Sequence, residues 1–579
     1  MKSRSELTDI PLNSGYQDGL CTQVAVVGAG ASGLYSAWRL ITSGGRDGRP
    51  LSGSQVQLFE MGDRVGGRLE SVTLPGMDVI GELGGMRYLP SQTIVATLIE
   101  HVFGAVLKCV PCPMDQDAHL HAFLRKQHLG ADAWSRAQSR GDRQLTRYML
   151  NEADIGYSAA QLFHKVVYEV LTADPWFNEH YADKVKHYSA YDYTFELTAT
   201  DWSQIKPRLR YCFAGPYKDA RVNELGLWNL LKDRVGQEGC NFLADAGGHY
   251  ANTVNWNAAE ALPGMVSGFD DAGAASKTIA GGYDGIAYAL AHAYLAEPGA
   301  CIWRENQLLG MTRSSKPGYR YTLHFLNRPG RAPWKVHANS IVLAMPRRAL
   351  EMLDQNSFFF RNDQLLRNMA AVAPEPAYKL LMGFEQPWWG QEFGASAGHT
   401  ITDLPLRQCH YFGGDAANGH SLLAVSYQDM RTAPFWQTLA RHPLPFQPRG
   451  TTRAPQAELD CLRDVQAPQR MVDEAVRQLH ELHGAGAAIP APYVTWYKDW
   501  SADPYGGGYH TWQPGYPVHR VMPFMRKPDP EEAIHIVGEA WSDQQGWVEG
   551  ALCVAERMLQ EHYALRRPDW LDEHYYLGY

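Results

Sequence analysis

The sequence predicts an α/β plus α+β chain: a Rossmann-like dinucleotide-binding domain assembled from separated segments, a mixed-sheet domain and an inserted helical domain. Three observations predict it. Residues 22–27 (TQVAVV) form an apolar run that leads directly into Gly28-Ala-Gly-Ala-Ser-Gly33 and a helical stretch to Ile41. A second apolar run, Val56-Gln-Leu-Phe-Glu60, ends on an acid. A strand, glycine turn and helix recur over 533–562, after a long middle of changing character.

The first pattern has a physical reading at each position. The first glycine of GxGxxG permits a tight turn, the second lets backbone approach a pyrophosphate, and the third allows close helix–strand packing, with the helix N-terminus facing the phosphates. Glu60 is placed to accept from ribose hydroxyls. It lies beyond the usual spacing of about 20 residues because the Gly/Ser-rich loop 42–54 intervenes.

Residues 21–95, 275–345 and 530–562 are assigned to this discontinuous domain. Gly281-Gly-Tyr-Asp-Gly285 precedes a helix there, and Ser340-Ile-Val-Leu-Ala-Met345 reads as a buried strand. Residues 96–274 alternate helical stretches with polar loops and read as a mainly helical insert. Residues 346–529 read as the mixed-sheet, substrate-binding domain, with helices at 361–371 and 467–483 and strands at 377–385, 421–427 and 493–497. The aromatic, charged stretch 563–579 shows no readable element.

Composition excludes several classes. The chain has 579 residues, enough for several folding units. Its 53 basic and 62 acidic residues leave a charge of −9, which argues against sequence-independent nucleic-acid binding. A 45% hydrophobic and 20% charged composition excludes a disordered chain. No apolar run reaches transmembrane length, so no membrane partner is expected. The nine cysteines are scattered, which predicts reduced thiols and a cytoplasmic location. Cys109-Val-Pro-Cys112 is a lone CxxC in a proline-bearing loop, and His119 and His121 lack further ligands, so no metal is expected. HExxH, P-loop and G-x-S-x-G motifs are absent.

The residues after Glu60 narrow the cofactor. Glu60-Met-Gly-Asp-Arg64-Val-Gly66-Gly67-Arg68 resembles the hallmark of the flavin amine oxidase superfamily, an acid at a strand end followed by R-x-G-G-R. The resemblance continues at Gly81-Glu-Leu-Gly84-Gly85-Met86-Arg87 and at Gly538-Glu539 through Gly546-Trp547-Val548. It implies the flavin amine oxidase fold and bound FAD. Gly28, Gly30, Ala31, Ser32, Gly33, Glu60, Arg64, Gly67 and Arg68 would then serve the adenosine and diphosphate. Gly84, Gly85 and Met86 would run along the isoalloxazine, and Glu539 would bind ribityl or phosphate-side hydroxyls. The helix opening near Val548 would set its positive end against the anionic pyrimidine end of the reduced ring.

Arg87 is similar in position to the Arg of L-amino acid oxidases, where a bidentate, permanently charged fork suits an α-carboxylate. Tyr411, or its neighbour His410, is a second candidate contact. Lys379, on an apolar strand before Trp388-Trp389, matches the family lysine that holds a water at flavin N5. Trp547 would wall the site and Trp512 would shape its side-chain end. The resemblance thus implies FAD-dependent oxidative deamination of L-amino acids by hydride transfer from Cα. Its products would be α-keto acid, ammonia and hydrogen peroxide, with O2 as second substrate and a homodimer as the expected assembly. The alternatives are an L-amino acid 2-monooxygenase, which decarboxylates to an amide, and then an amine or polyamine oxidase, against which Arg87 argues. An aromatic-rich C-terminal half favours large apolar side chains. A basic side chain would call on an acid such as Asp403, Asp415, Asp429 or Asp543.

Overall fold

The structure, a computed structural model, describes all residues except 1–2, 46–47, 116–119, 131, 249–255, 268–275, 391–396, 428–431 and 485. His119 and Asp429 lie outside the described residues. The first sheet runs in the order Ile302–Trp303, Val56–Phe59, Leu20–Val27, Ala332–Leu343, Tyr321–Asn327, Asn306–Arg313, and Ile534–Ile536 also pairs with Ala332–Leu343. Its central pairs are parallel, and the two outer strands Tyr321–Asn327 and Asn306–Arg313 are antiparallel. A parallel sheet needs cover on both faces, which explains the uninterrupted apolar runs. Helices Ala31–Thr42, Gly285–Leu295 and Val548–His562 share a core on one side.

Segments of the expected substrate domain cover the other side. Leu350, Leu365 and Met369, with Val518, Met522 and Met525, pack against Tyr321, Leu323 and Phe325. The first unit therefore draws on stretches of 346–529 as well as on 21–95, 275–345 and 530–562.

The second sheet has the order Val494–Asp499, Tyr378–Phe384, Ser421–Tyr427, Gln408–Gly414, Ala397–Thr402, Leu120–Leu124, Gln127–Gly130. Its last two strands are a hairpin from the region expected to be a helical insert. A parallel pairing of Leu120–Leu124 with Ala397–Thr402 joins this hairpin to the sheet. The helices of the insert, among them Ala159–Ala173, Leu227–Ala246 and Ala258–Ser267, close their own core. Ser158 and Gln161 form a capping box at the first of them, which fixes its start.

Residues 563–579 have no helix or strand, yet they are ordered by burial. Leu565, Leu571 and Leu577 enter the core of the first unit. The Tyr575 hydroxyl donates to Glu549 Oε1 at 2.6 Å, and that of Tyr579 to the Ser203 carbonyl at 3.1 Å. No helix among the described residues is long and apolar enough to cross a membrane. All nine cysteines are free.

Candidate active site

Glycines shape the groove at the carboxyl ends of the first sheet. Gly28 has φ +109°, and a Cβ there would lie 2.2 Å from the Ala344 carbonyl oxygen. A Cβ on Gly33 would lie 1.9 Å from the Gly28 carbonyl oxygen, so only glycine lets helix Ala31–Thr42 start this close to the strand. The Glu60 carboxylate accepts from the Ala29 and Gly62 N–H groups, both at 2.7 Å. Burial pushes its pKa up, against these N–H donors. Gly28, Gly30, Ala31, Ser32, Glu60, Gly67 and Arg68 all line this groove, which holds about 1310 Å³ of space, part of it open to solvent.

Arg64 has a different place from the one expected. Its guanidinium donates to the carbonyls of Val65, Gly67 and Leu69 and to Glu70, so it braces the loop that presents Gly66, Gly67 and Arg68. It is not among the groove-lining residues. A guanidinium already bonded to three carbonyls of one turn organises backbone rather than ligand.

Arg68 reaches across to Glu539, with Nη2 and Oε2 2.8 Å apart. Glu539 also accepts from the His510 backbone N–H at 2.8 Å and the Gly546 N–H at 3.0 Å, and its Oε2 lies 3.0 Å from His510 Nδ1. Burial would raise its pKa, but the Arg68 charge and these donors outweigh burial and hold the carboxyl well below its usual range. Glu539 thus ties Arg68, His510 and Gly546 into one wall of the groove.

Gly84 lies behind the Arg68 backbone: a Cβ there would sit 1.9 Å from the Arg68 carbonyl oxygen. Beyond Gly84 and Gly85 a second cavity of about 730 Å³ opens, and it shares Gly85, Gly546, Trp547 and Val548 with the groove. Two helix N-termini open at the groove, Ala31–Thr42 behind Gly30 and Val548–His562 behind Trp547, and neither has a side-chain cap. Uncapped N–H groups and glycine-only backbone fit a dinucleotide diphosphate at one terminus and an electron-rich ring edge at the other. FAD fits these residues, with Gly85, Gly546, Trp547 and Val548 at the junction where its ring would separate groove from cavity.

Arg87, Lys379, Met86 and Trp547 line the second cavity. Arg87 is 7% exposed and forms an ion pair with Asp115. Lys379 Nζ donates to the Glu82 carbonyl at 3.0 Å and the Gly84 carbonyl at 2.6 Å, and lies 4.9 Å from the centre of the Tyr427 ring. Burial lowers its pKa to about 8; the Glu82 charge works against that drop and Arg87 adds to it.

Tyr411 is not at this cavity. Its hydroxyl lies 2.8 Å from His483 Nε2, and its ring packs with Trp389 under the helices on the far face of the second sheet. Strand alternation gives the reason: along Gln408–Gly414, Cys409 and Tyr411 face those helices, while Phe412 packs beside Met86 and His410 stands near Tyr427. Trp512 is likewise in a core, donating to the Ser542 carbonyl at 2.9 Å. Asp403 accepts from the Arg125 N–H, Asp415 from Ala417 and Asp78, and Asp543 pairs with Lys206; none of these three lines either cavity.

Residues the sequence did not indicate complete the cavity: Trp256, Tyr283, Tyr427, Tyr509 and Gln545. Tyr427 could have been found only through pairing, since it stands opposite Lys379 on the neighbouring strand. Tyr509 lies three residues before Trp512 in the same glycine-led strand, Tyr509–Trp512. Cys109–Pro111 is a short strand rather than a loop, paired with Lys277–Ile279, and no metal-binding cluster occurs among the described residues.

The family model described as "Flavin containing amine oxidoreductase" matches residues 31–442 and 456–557. Aplysianin-A of Aplysia kurodai is 27% identical over 566 residues, 93% of this chain and 90% of that protein. A putative L-amino-acid oxidase of Bacillus subtilis is 23% identical over 280 residues, 47% of this chain and 50% of its own. A tryptophan 2-monooxygenase of Agrobacterium vitis is 36% identical over 101 residues, 17% of this chain and 12% of its own. Among solved structures, a putrescine oxidase bound to putrescine superposes with a TM-score of 0.61 at 16% identity, covering 94% of this chain and all of that one; this likeness speaks for the fold alone.

Proposed function

The chain belongs to the flavin containing amine oxidoreductases, and from that premise we propose that it oxidises L-amino acids to α-keto acids. In the overall reaction the amino acid, O2 and water give α-keto acid, ammonia and hydrogen peroxide. Bound FAD supplies the two-electron acceptor and the site of reoxidation by oxygen.

One observation carries this reading: Arg87, a buried permanent cation, lines the second cavity two residues beyond Gly85, where groove and cavity meet. Asp115 already balances the Arg87 charge, so geometry decides: an α-carboxylate accepts from a guanidinium fork, whereas a protonated simple amine is itself only a donor. Holding the carboxylate at Arg87 orients Cα toward Gly85 and Trp547. Lys379 offers an ammonium on the same wall, suited to hold a water or to carry a proton during oxygen reduction. The aromatic lining from Trp256, Tyr427 and Tyr509 favours a large apolar or aromatic substrate side chain.

The test uses the flavin's visible band under nitrogen. Pooled L-amino acids are expected to bleach it, and pooled D-amino acids and simple amines are not. Bleaching by amines alone would overturn the substrate assignment. The local match to tryptophan 2-monooxygenase favours a second reading, oxidative decarboxylation to an amide. Carbon dioxide released in step with oxygen uptake, with catalase present, would select it. The homodimer belongs to the same proposal, and light scattering of the holoprotein tests it.

A further inference from the structure

Resting on the reading above, we propose that Asp115 is a positioning residue that sets the angle at which the Arg87 fork meets the substrate carboxylate. The two side chains are 6% and 10% exposed and are joined through Arg87 Nη1 and Asp115 Oδ2. The same oxygen accepts the Ser276 hydroxyl, so Asp115 is itself held from behind. Arg87 lines the second cavity and Asp115 does not.

The segment that delivers Asp115 is the lone CxxC. Strand Cys109–Pro111 pairs antiparallel with Lys277–Ile279, and the Cys112 N–H donates to the Ser276 carbonyl at 2.8 Å. Cys112 and Met114 pack with Met86, the residue before Arg87. The carboxylate and the guanidinium are thus anchored on one small cluster, to which Cys112 belongs. Burial pushes the Asp115 carboxyl up, but the Arg87 charge and the Ser276 hydroxyl outweigh it and keep the group ionised.

The physical need is clear. A guanidinium carries five N–H donors in a rigid fork, but it hangs on a flexible stem. Arg87 also shares its cavity with a second cation, Lys379. A carboxylate fixed behind the fork offsets that repulsion and removes the stem's freedom before substrate arrives. A rival role for the same contact is competition, in which Asp115 occupies the fork and the substrate must displace it. The two roles predict opposite signs.

The experiment compares wild type, Asp115→Asn, Ser276→Ala and the double variant as FAD-loaded proteins. The readouts are KM and kcat for pooled L-amino acids, and the Kd of benzoate from its perturbation of the flavin band. Asp115→Asn keeps the shape and loses the charge. Its KM and benzoate Kd are expected to rise about ten- to hundredfold, the scale of a misoriented binding group, with kcat falling less than KM rises. Ser276→Ala should shift both constants the same way by less, and should add nothing on the Asp115→Asn background. Tighter benzoate binding or a lower KM in Asp115→Asn would establish competition and overturn the proposal, as would additive effects. If Asp115→Asn loses its FAD, an unchanged benzoate Kd in Ser276→Ala overturns it instead. Whether L-amino acids bleach the wild type decides the function; the variant-to-wild-type ratio for benzoate decides Asp115.

Discussion

Replacing Lys379 by Met separates what the buried ammonium costs from what it does. The side chain is 4% exposed, and burial brings its pKa from 10.5 to about 8, with Glu82 opposing and Arg87 assisting. At 1.36 kcal/mol per pH unit, that drop amounts to about 3 kcal/mol of destabilisation. Below pH 8 folded and unfolded chains both hold the proton, and the penalty is complete. From pH 8 to 10.5 the unfolded chain keeps a proton that the folded chain has released, so the wild type gains stability as pH rises. Methionine carries no such proton. It also removes the donor from the Glu82 and Gly84 carbonyls, at about 1 kcal/mol each. The lost bonds set an offset that does not vary with pH, so relative to wild type the variant is expected to lose about 3 kcal/mol of stability between pH 7 and pH 10.5. Thermal unfolding of both proteins across this range measures the difference, which should move steadily in favour of the wild type as pH rises. A difference of constant sign and size would refute the reasoning, because it would mean that Lys379 titrates like a solvated lysine. In stopped-flow traces at pH 7 the same variant should reoxidise its flavin more slowly while being reduced by substrate at a near-normal rate.

Arg87→Ala should lower kcat/KM for L-amino acids by about 2–5 kcal/mol, since it removes the carboxylate partner and strands Asp115; steady-state oxygen uptake measures this, and an unchanged value would end the assigned role. Gly33→Ala would put a methyl 1.9 Å from the Gly28 carbonyl oxygen, so the purified protein is expected to be colourless; a full complement of FAD by absorbance would show that the turn can yield. Tyr411→Phe should cost about 1 kcal/mol of stability through the lost contact to His483 and leave kcat/KM as it is; a fall in kcat/KM would return Tyr411 to the site.

The cofactor groove was legible because its demands are local. The tight turns at Gly28 and Gly33, the acid at the end of Val56–Phe59 and the helix starts at Ala31 and Val548 are each written within a few residues of their own strand or helix. Arg64 shows the limit of that legibility: its position in the motif is right, but whether a guanidinium turns to ligand or to its own loop depends on the carbonyls that loop presents. The second cavity was much less readable. Lys379 and Tyr427 are register partners on adjacent strands, a relation fixed by sheet pairing rather than by spacing. Tyr411 failed for a similar reason. A strand alternates faces, and nothing within Gln408–Gly414 says which face meets the helices Ala433–Ala440 and Gln469–His483. Leu120–Leu124 was lost among helices because a single short hairpin gains its stability from the sheet it joins.

The placement of strand Ile534–Ile536 bears on biosynthesis. It pairs with Ala332–Leu343, which in turn pairs with Leu20–Val27, so the groove's first wall leaves the ribosome long before its last. Chains emerge N-terminus first and fold by units as they appear. The helical unit and the second sheet have all their strands and helices once residue 499 is out, while the nucleotide-binding unit still lacks helix Val518–Arg526, strand Ile534–Ile536, the Gly538–Val548 turn and helix Val548–His562. FAD can select only a chain in which the Gly538–Val548 segment lines the groove, and it stabilises that form by mass action. Flavin scarcity therefore acts late, after the helical unit and the second sheet already have their strands and helices.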